Sequence, residues 1–156
     1  MDPQKLTIKS QESLMAAVDL AKNRSNPEVT SVHLLLALLT DFNGVVVQIL
    51  KRLDVKIAEL SAKLELQLEK LPKSDGNGDR PISLELKKVL EYAFKEAKSD
   101  NSEYISREHL LLALLSTDCQ ASYILNSFPI NSQKVRQVLK DIRGSQAASD
   151  PDPESK

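Results

Sequence analysis

The chain has no tryptophan, one cysteine, two histidines and four glycines in 156 residues, and each shortage closes off a class of chemistry. Cys119 has no partner for an internal disulfide, so the fold has to be held by its core. It reads as a small apolar filler near a helix start, and its solitude points to the cytosol. The glycines stand at 44, 76, 78 and 144, none followed by lysine, so no Gly-Lys-Ser/Thr phosphate loop can be assembled. Gly76-Asn77-Gly78 has Pro81 where a dinucleotide fingerprint needs its third glycine. Charge of one sign is also lacking. Lys plus Arg is 21 against Asp plus Glu 22, so a net charge of −1 provides no field for nucleic acid or an anionic membrane. The start, Met1-Asp2-Pro3-Gln4-Lys5, lacks both the apolar stretch of a signal peptide and the Arg-rich character of a transit peptide. Paired acids such as Glu85 and Glu91 fall on predicted helix exteriors and read as solvated surface. No catalytic set, metal site or cofactor site can be assembled, and the chain is expected not to be an enzyme in its own right.

What is present is a repeat. His33-Leu34-Leu35-Leu36-Ala37-Leu38-Leu39 returns unchanged as His109-Leu110-Leu111-Leu112-Ala113-Leu114-Leu115, an interval of 109 − 33 = 76 residues. Each run is apolar all round, so as a helix it is buried on every side, and its six apolar residues are too few to cross a bilayer. Thr30 and Ser106 stand three residues before the histidines. Each core helix therefore opens with a hydroxyl cap and an imidazole able to reach back toward it. Metal ligation by these histidines is disfavoured, because no second ligand lies at the right spacing on either face.

The rest of the chain repeats too. Thr7 caps a helix with apolar residues at 14, 17, 18 and 21, and adding 76 yields a Ser83 cap with Leu90, Ala93, Phe94 and Ala97. Asn43-Gly44 turns into a helix through Val45, Val46, Val47, Ile49, Leu50 and Leu53, echoed by Ala121, Ile124, Leu125 and Phe128 after the loss of one residue. Ile57, Leu60, Leu64, Leu68 and Leu71 make a fourth helix, matched by Val135, Val138, Leu139 and Ile142. Asn131 caps the second of these, whereas Lys56 is a poor cap for the first. The expectation is an all-α fold of eight helices in two tandem pseudo-symmetric four-helix repeats. The first spans 1–71, a polar, breaker-rich and mobile connector 72–82, and the second repeat 83–143, with 1–143 one compact domain. Residues 144–156 offer no apolar anchor and read as a linker toward a missing module.

The duplicated unit, with Ser106-Arg107-Glu108-His109-Leu110-Leu111-Leu112-Ala113-Leu114 in its second copy, resembles the amino-terminal domain of the Clp ATPase family over residues 1 to about 143. Leu71-Pro72 before a Gly-containing connector and Ser83, together with Tyr104-Ile105-Ser106-Arg107-Glu108-His109, is most similar to the ClpB-type disaggregase. The resemblance implies a substrate-engaging accessory domain of a cytoplasmic, stress-response chaperone. Such a domain binds exposed segments of unfolded or aggregated proteins in an apolar groove and passes them to a homohexameric ring using ATP and Mg. The isolated domain is expected to be a monomer. The resemblance carries Thr7, Glu108, Tyr92 and Tyr104 into that groove, with Glu96 and His109 beside them. Ser102 and Glu96 depart from the pattern, which implies a more polar end. On their own residues the tyrosines read equally as half-buried packing groups, and Thr7 and Glu108 as capping and first-turn residues. A second reading is an adaptor-docking domain, as in ClpA- and ClpC-type proteins.

Overall fold

Hydroxyl and amide side chains start most of the helices. In a computed structural model, which describes residues 3–76 and 78–143, a short 3-10 turn at Pro3–Lys5 precedes Thr7. Thr7 Oγ1 accepts from Ser10 N at 3.1 Å to open α1 (Ile8–Asn23), and Ser83 Oγ accepts from Leu86 N at 3.2 Å to open α5 (Leu84–Ser99). In α2 (Ser31–Leu38) and α6 (Arg107–Ser116) the imidazole reaches back as expected. His33 Nδ1 accepts from Thr30 N and His109 Nδ1 from Ser106 N, both at 2.9 Å. An accepting Nδ1 puts the proton on Nε2, which donates to Asn26 Oδ1 at 2.9 Å in the first copy and to Asp100 Oδ2 at 2.7 Å in the second.

Gly44 leads into α3 (Val45–Arg52), so the three valines are helical, and Cys119 stands at the start of α7 (Gln120–Leu125). A Cβ on Gly44 would come within 3.0 Å of the Arg107 guanidinium and of Asp41 Oδ2, so a larger residue there would press on that ion pair. Lys56 precedes α4 (Ile57–Glu69) without a side-chain cap, while Asn131 Oδ1 accepts from Lys134 N at 2.8 Å before α8 (Ser132–Arg143). Among the described residues the fold is all-α, with the eight helices in two copies of four.

The two leucine helices form the centre. Every residue of α2 and residues 107–114 of α6 are buried, and each packs closely against the long helix before it, α1 or α5. The copies also interlock. α3 packs on α6 and α8 of the other copy, and α7 packs on α2 and α4, so the third helix of each repeat completes its neighbour's core. Two isolated parallel bridges, Leu6 with Ile105 and Val29 with Ile82, repeat the exchange: Thr7 N donates to Ile105 O at 3.0 Å and Ser83 N to Val29 O at 2.9 Å.

One expectation changes, and two further features come from the tertiary structure. Glu85 is not a solvated exterior acid: its Oε1 accepts from Ser31 N and Oγ at 3.1 and 2.7 Å, and its Oε2 from Gln120 N at 3.0 Å, joining the starts of α2 and α7. A carboxylate at two helix N-termini answers both partial positive charges. Phe94 is 37% exposed, because it sits at the outer edge of the apolar stripe of α5. The connector is tied at both ends to the α1–α2 loop. Asn26 Nδ2 donates to Pro72 O at 3.1 Å, Ser74 N to Ser25 O at 2.7 Å, and Val29 N to Pro81 O at 2.9 Å. The expected linker at 144–156 lies outside the described residues.

Candidate functional site

Where α5 ends, the chain turns through Asn101 and runs alongside the amino-terminal segment into α6. Between the two lies an open groove of about 540 Å³, lined by Gln4 and Lys5 on one side and Phe94, Ala97, Lys98, Ser102, Glu103, Tyr104 and Ile105 on the other. The bridge from Leu6 to Ile105 makes its floor rigid, with Ile105 N donating to Lys5 O at 2.7 Å. Phe94 and the half-buried Tyr104 present aromatic surface, and Lys98 Nζ stands 5.2 Å from the Phe94 ring centroid. The groove thus combines an apolar wall with mixed charge from Lys5, Lys98 and Glu103.

Of the six residues carried over by resemblance, only Tyr104 lines this groove. Thr7, wholly buried, lies behind the floor as cap of α1, and its N–H holds Ile105 in place. Glu108 and His109 are buried in the first turn of α6. Tyr92 and Glu96 lie on the opposite side of α5, because a helix turns about 100° per residue and places 92 and 96 together, away from 94, 97 and 98. There Glu96, 7% exposed, forms a two-pronged ion pair with Arg136 of α8, with Arg136 Nη1 donating to Oε2 at 3.1 Å. The hydrogen bond from the guanidinium to Glu96 holds Arg136 firmly charged, its pKa raised further above the ordinary range. The polarity of the groove therefore comes from Gln4, Ser102, its two lysines and Glu103 rather than from Glu96.

The groove residues that sequence reasoning missed were Gln4, Lys5, Phe94, Ala97, Lys98, Glu103 and Ile105. One signal was available: Phe94 is an aromatic where the first copy has Val18, a break in an otherwise faithful repeat.

Elsewhere, His33 and Asp41 are perturbed for structural reasons. Burial lowers His33 to about 4, helped by the positive charge of Arg24. Asp41 is held below the usual carboxylate range chiefly by its hydrogen bond from Arg107 Nη1, at 3.0 Å. Among the described residues no group of three His, Cys, Asp or Glu could hold a metal, and no helix is long and apolar enough to cross a membrane.

The profile of the Clp repeat (R) N-terminal domain matches residues 5–128. A chaperone protein ClpB from Bdellovibrio bacteriovorus is 35% identical over 153 residues, covering 97% of this chain and 18% of its own length. The chain thus spans less than a fifth of that relative. Among solved structures, the Hsp104 N-terminal domain from Candida albicans superposes with a TM-score of 0.83 at 20% identity, covering 96% of this chain and 99% of the other. A complex of the ClpV N-domain with a VipB peptide has a TM-score of 0.72 at 18% identity, covering 94% of this chain and 91% of the other.

Proposed function

The chain belongs to the Clp repeat N-terminal domain family, and from that premise we propose that it is the substrate-engaging module of an ATP-dependent protein disaggregase. It holds exposed segments of unfolded or aggregated proteins in the groove between the amino-terminal segment and the end of α5. The observation that carries this reading is the groove itself, where Phe94, 37% exposed, and the half-buried Tyr104 stand beside a floor pinned by the Leu6–Ile105 bridge. Tyr104 contacts the bound chain directly. Thr7, Glu108 and His109 hold the floor and the start of α6, and Tyr92 and Glu96 contact a chain only where it passes around α5. ATP and Mg, the hexameric ring and the cytoplasmic setting belong to the longer protein of which this domain is the accessory part. The isolated domain is a monomer.

Titration of the isotopically labelled chain with a reduced, permanently unfolded protein tests this. Shifts should gather at Phe94, Lys98 and Tyr104, and Phe94→Ser with Tyr104→Ser should weaken binding by about tenfold or more. Absence of shifts at millimolar ligand would overturn the groove. A ClpV N-domain in complex with a VipB peptide favours a second reading, docking of a defined adaptor segment at the same fold. That reading requires one tight stoichiometric partner and indifference to random unfolded chains.

A further inference from the structure

α1 and α5 end in the same turn. Ser25 and Asn101 hold left-handed backbone, with φ of 57° and 63°, and the N–H groups of Asn26 and Ser102 return to Ala21 O and Ala97 O, both at 2.9 Å. In the first copy this turn carries an extended stretch of chain, the start of the connector. Ser74 N donates to Ser25 O at 2.7 Å, Asn26 Nδ2 to Pro72 O at 3.1 Å, and Lys73 Nζ to Arg24 O at 2.8 Å. In the second copy the matching carbonyl, Asn101 O, receives no hydrogen bond from the described residues. Asn101 is exposed, and the next three residues, Ser102, Glu103 and Tyr104, line the groove.

Building on the substrate-engaging reading above, we infer that the turn Asp100-Asn101-Ser102 is a docking edge for an extended segment of the bound polypeptide, which it holds as the first copy holds the connector. A backbone N–H of the ligand reaches Asn101 O as Ser74 reaches Ser25 O, and the residue before it is lysine or arginine. The connector thus shows, within the same molecule, the form of peptide that this turn accepts. The charge preference follows from the exchange of Arg24 for Asp100. In the first copy the Lys73 cation rests on the Arg24 carbonyl at the end of α1 despite the Arg24 charge nearby. In the second, the Asp100 carboxylate, 52% exposed while its oxygens accept from His109 Nε2 and Ser102 N, stands at the end of α5 with Glu103 close by in sequence. Of the neighbouring cations, Lys98 leans over Phe94, and Arg136, whose charge also acts on Asp100, is paired directly with Glu96. The turn therefore offers carbonyls and a carboxylate to a cationic side chain, while the aromatic wall beside it takes apolar ones.

The probe is a synthetic peptide with the sequence of residues 70–76, Lys-Leu-Pro-Lys-Ser-Asp-Gly, titrated into the labelled chain. Expected are amide shifts at Asn101 and Ser102 and about tenfold weaker binding after N-methylation of the peptide's serine amide, as for loss of one backbone hydrogen bond. Methylation of the aspartate amide should change little, and replacement of the internal lysine by alanine should weaken binding several-fold. Equal affinity of the serine-methylated and parent peptides would overturn the inference. So would shifts confined to residues 24–26, which would mean exchange with the connector, or no binding of this peptide where unfolded protein still shifts Phe94 and Tyr104. That last result leaves the groove standing and removes only the docking edge; silence of both ligands removes the groove itself.

Discussion

At the α1–α2 loop, Asn26 is 1% exposed, clasped between His33 Nε2 and the carbonyl of Pro72, whereas at the matching α5–α6 loop Ser102 lies at the mouth of a groove. The backbone turns are the same, and the difference lies in what lies across them. In the first copy the connector occupies the turn, and Val18 and Glu28 stand where the second copy has Phe94 and Tyr104. One end of a pseudo-symmetric molecule has become structural and the other has kept an open aromatic surface. Duplication supplies two equivalent sites, and the chain's own connector takes one of them. The proposed function rests on the site left open.

The comparison breaks most severely at the shared centre. Leu35→Ala and Leu111→Ala, equivalent and fully buried, should each destabilise by about 2–5 kcal/mol in urea melts. Because α3 and α7 cross between copies, both should unfold the molecule in one transition; separate transitions for the two repeats would show that the cores are independent.

The histidine boxes differ next. His33 is lowered to about 4 in the folded chain against an ordinary 6.5, so above pH 6.5 it is neutral in both states and its environment carries no pH-dependent penalty. As the pH falls from 6.5 to about 4 the unfolded chain takes up a proton that the folded chain refuses, and stability drops by roughly 3 kcal/mol before levelling off. His33→Asn should flatten that part of the pH–stability profile, even though it lowers stability at neutral pH. An unchanged slope would show that His33 charges freely.

Glu85 has no acidic counterpart, since Lys9 occupies its place in the first copy. Glu85→Gln retains the shape and loses the charge at the starts of α2 and α7, so a loss of about 1–3 kcal/mol is expected by chemical denaturation, with little change for Lys9→Gln. The smallest effect concerns the uneven caps of α4 and α8. Lys56→Asn should stabilise by about 0.5–1 kcal/mol by giving α4 the cap that Asn131 gives α8, and a melting shift of the opposite sign would refute that assignment.

Much of this was legible in the residues. The leucine heptamers, the hydroxyl caps, the histidines reaching back and the uneven caps at 56 and 131 are local features, each set by neighbours within four residues. The groove was less so. Tyr104 could be singled out, but Tyr92 and Glu96 share a face with Arg136 instead, since which side of α5 meets α8 depends on the packing of α6 between them. Phe94 matched the apolar period of α1 and yet lies at its exposed margin. Lys5 joins the groove only because Leu6 pairs with Ile105, about a hundred positions away along the chain.

The sequence by itself determined the eight helices, their caps, the twofold repeat and the burial of the two leucine runs, because these follow from periodicity and from hydrogen bonds made within a turn. Only the tertiary structure decided that the third helices cross between copies, that Glu85 bridges two helix starts, and that the connector fills one turn and leaves the other open. Those outcomes depend on contacts between segments far apart in the chain, where small differences in side-chain size and charge between nearly equal copies settle which surface is covered.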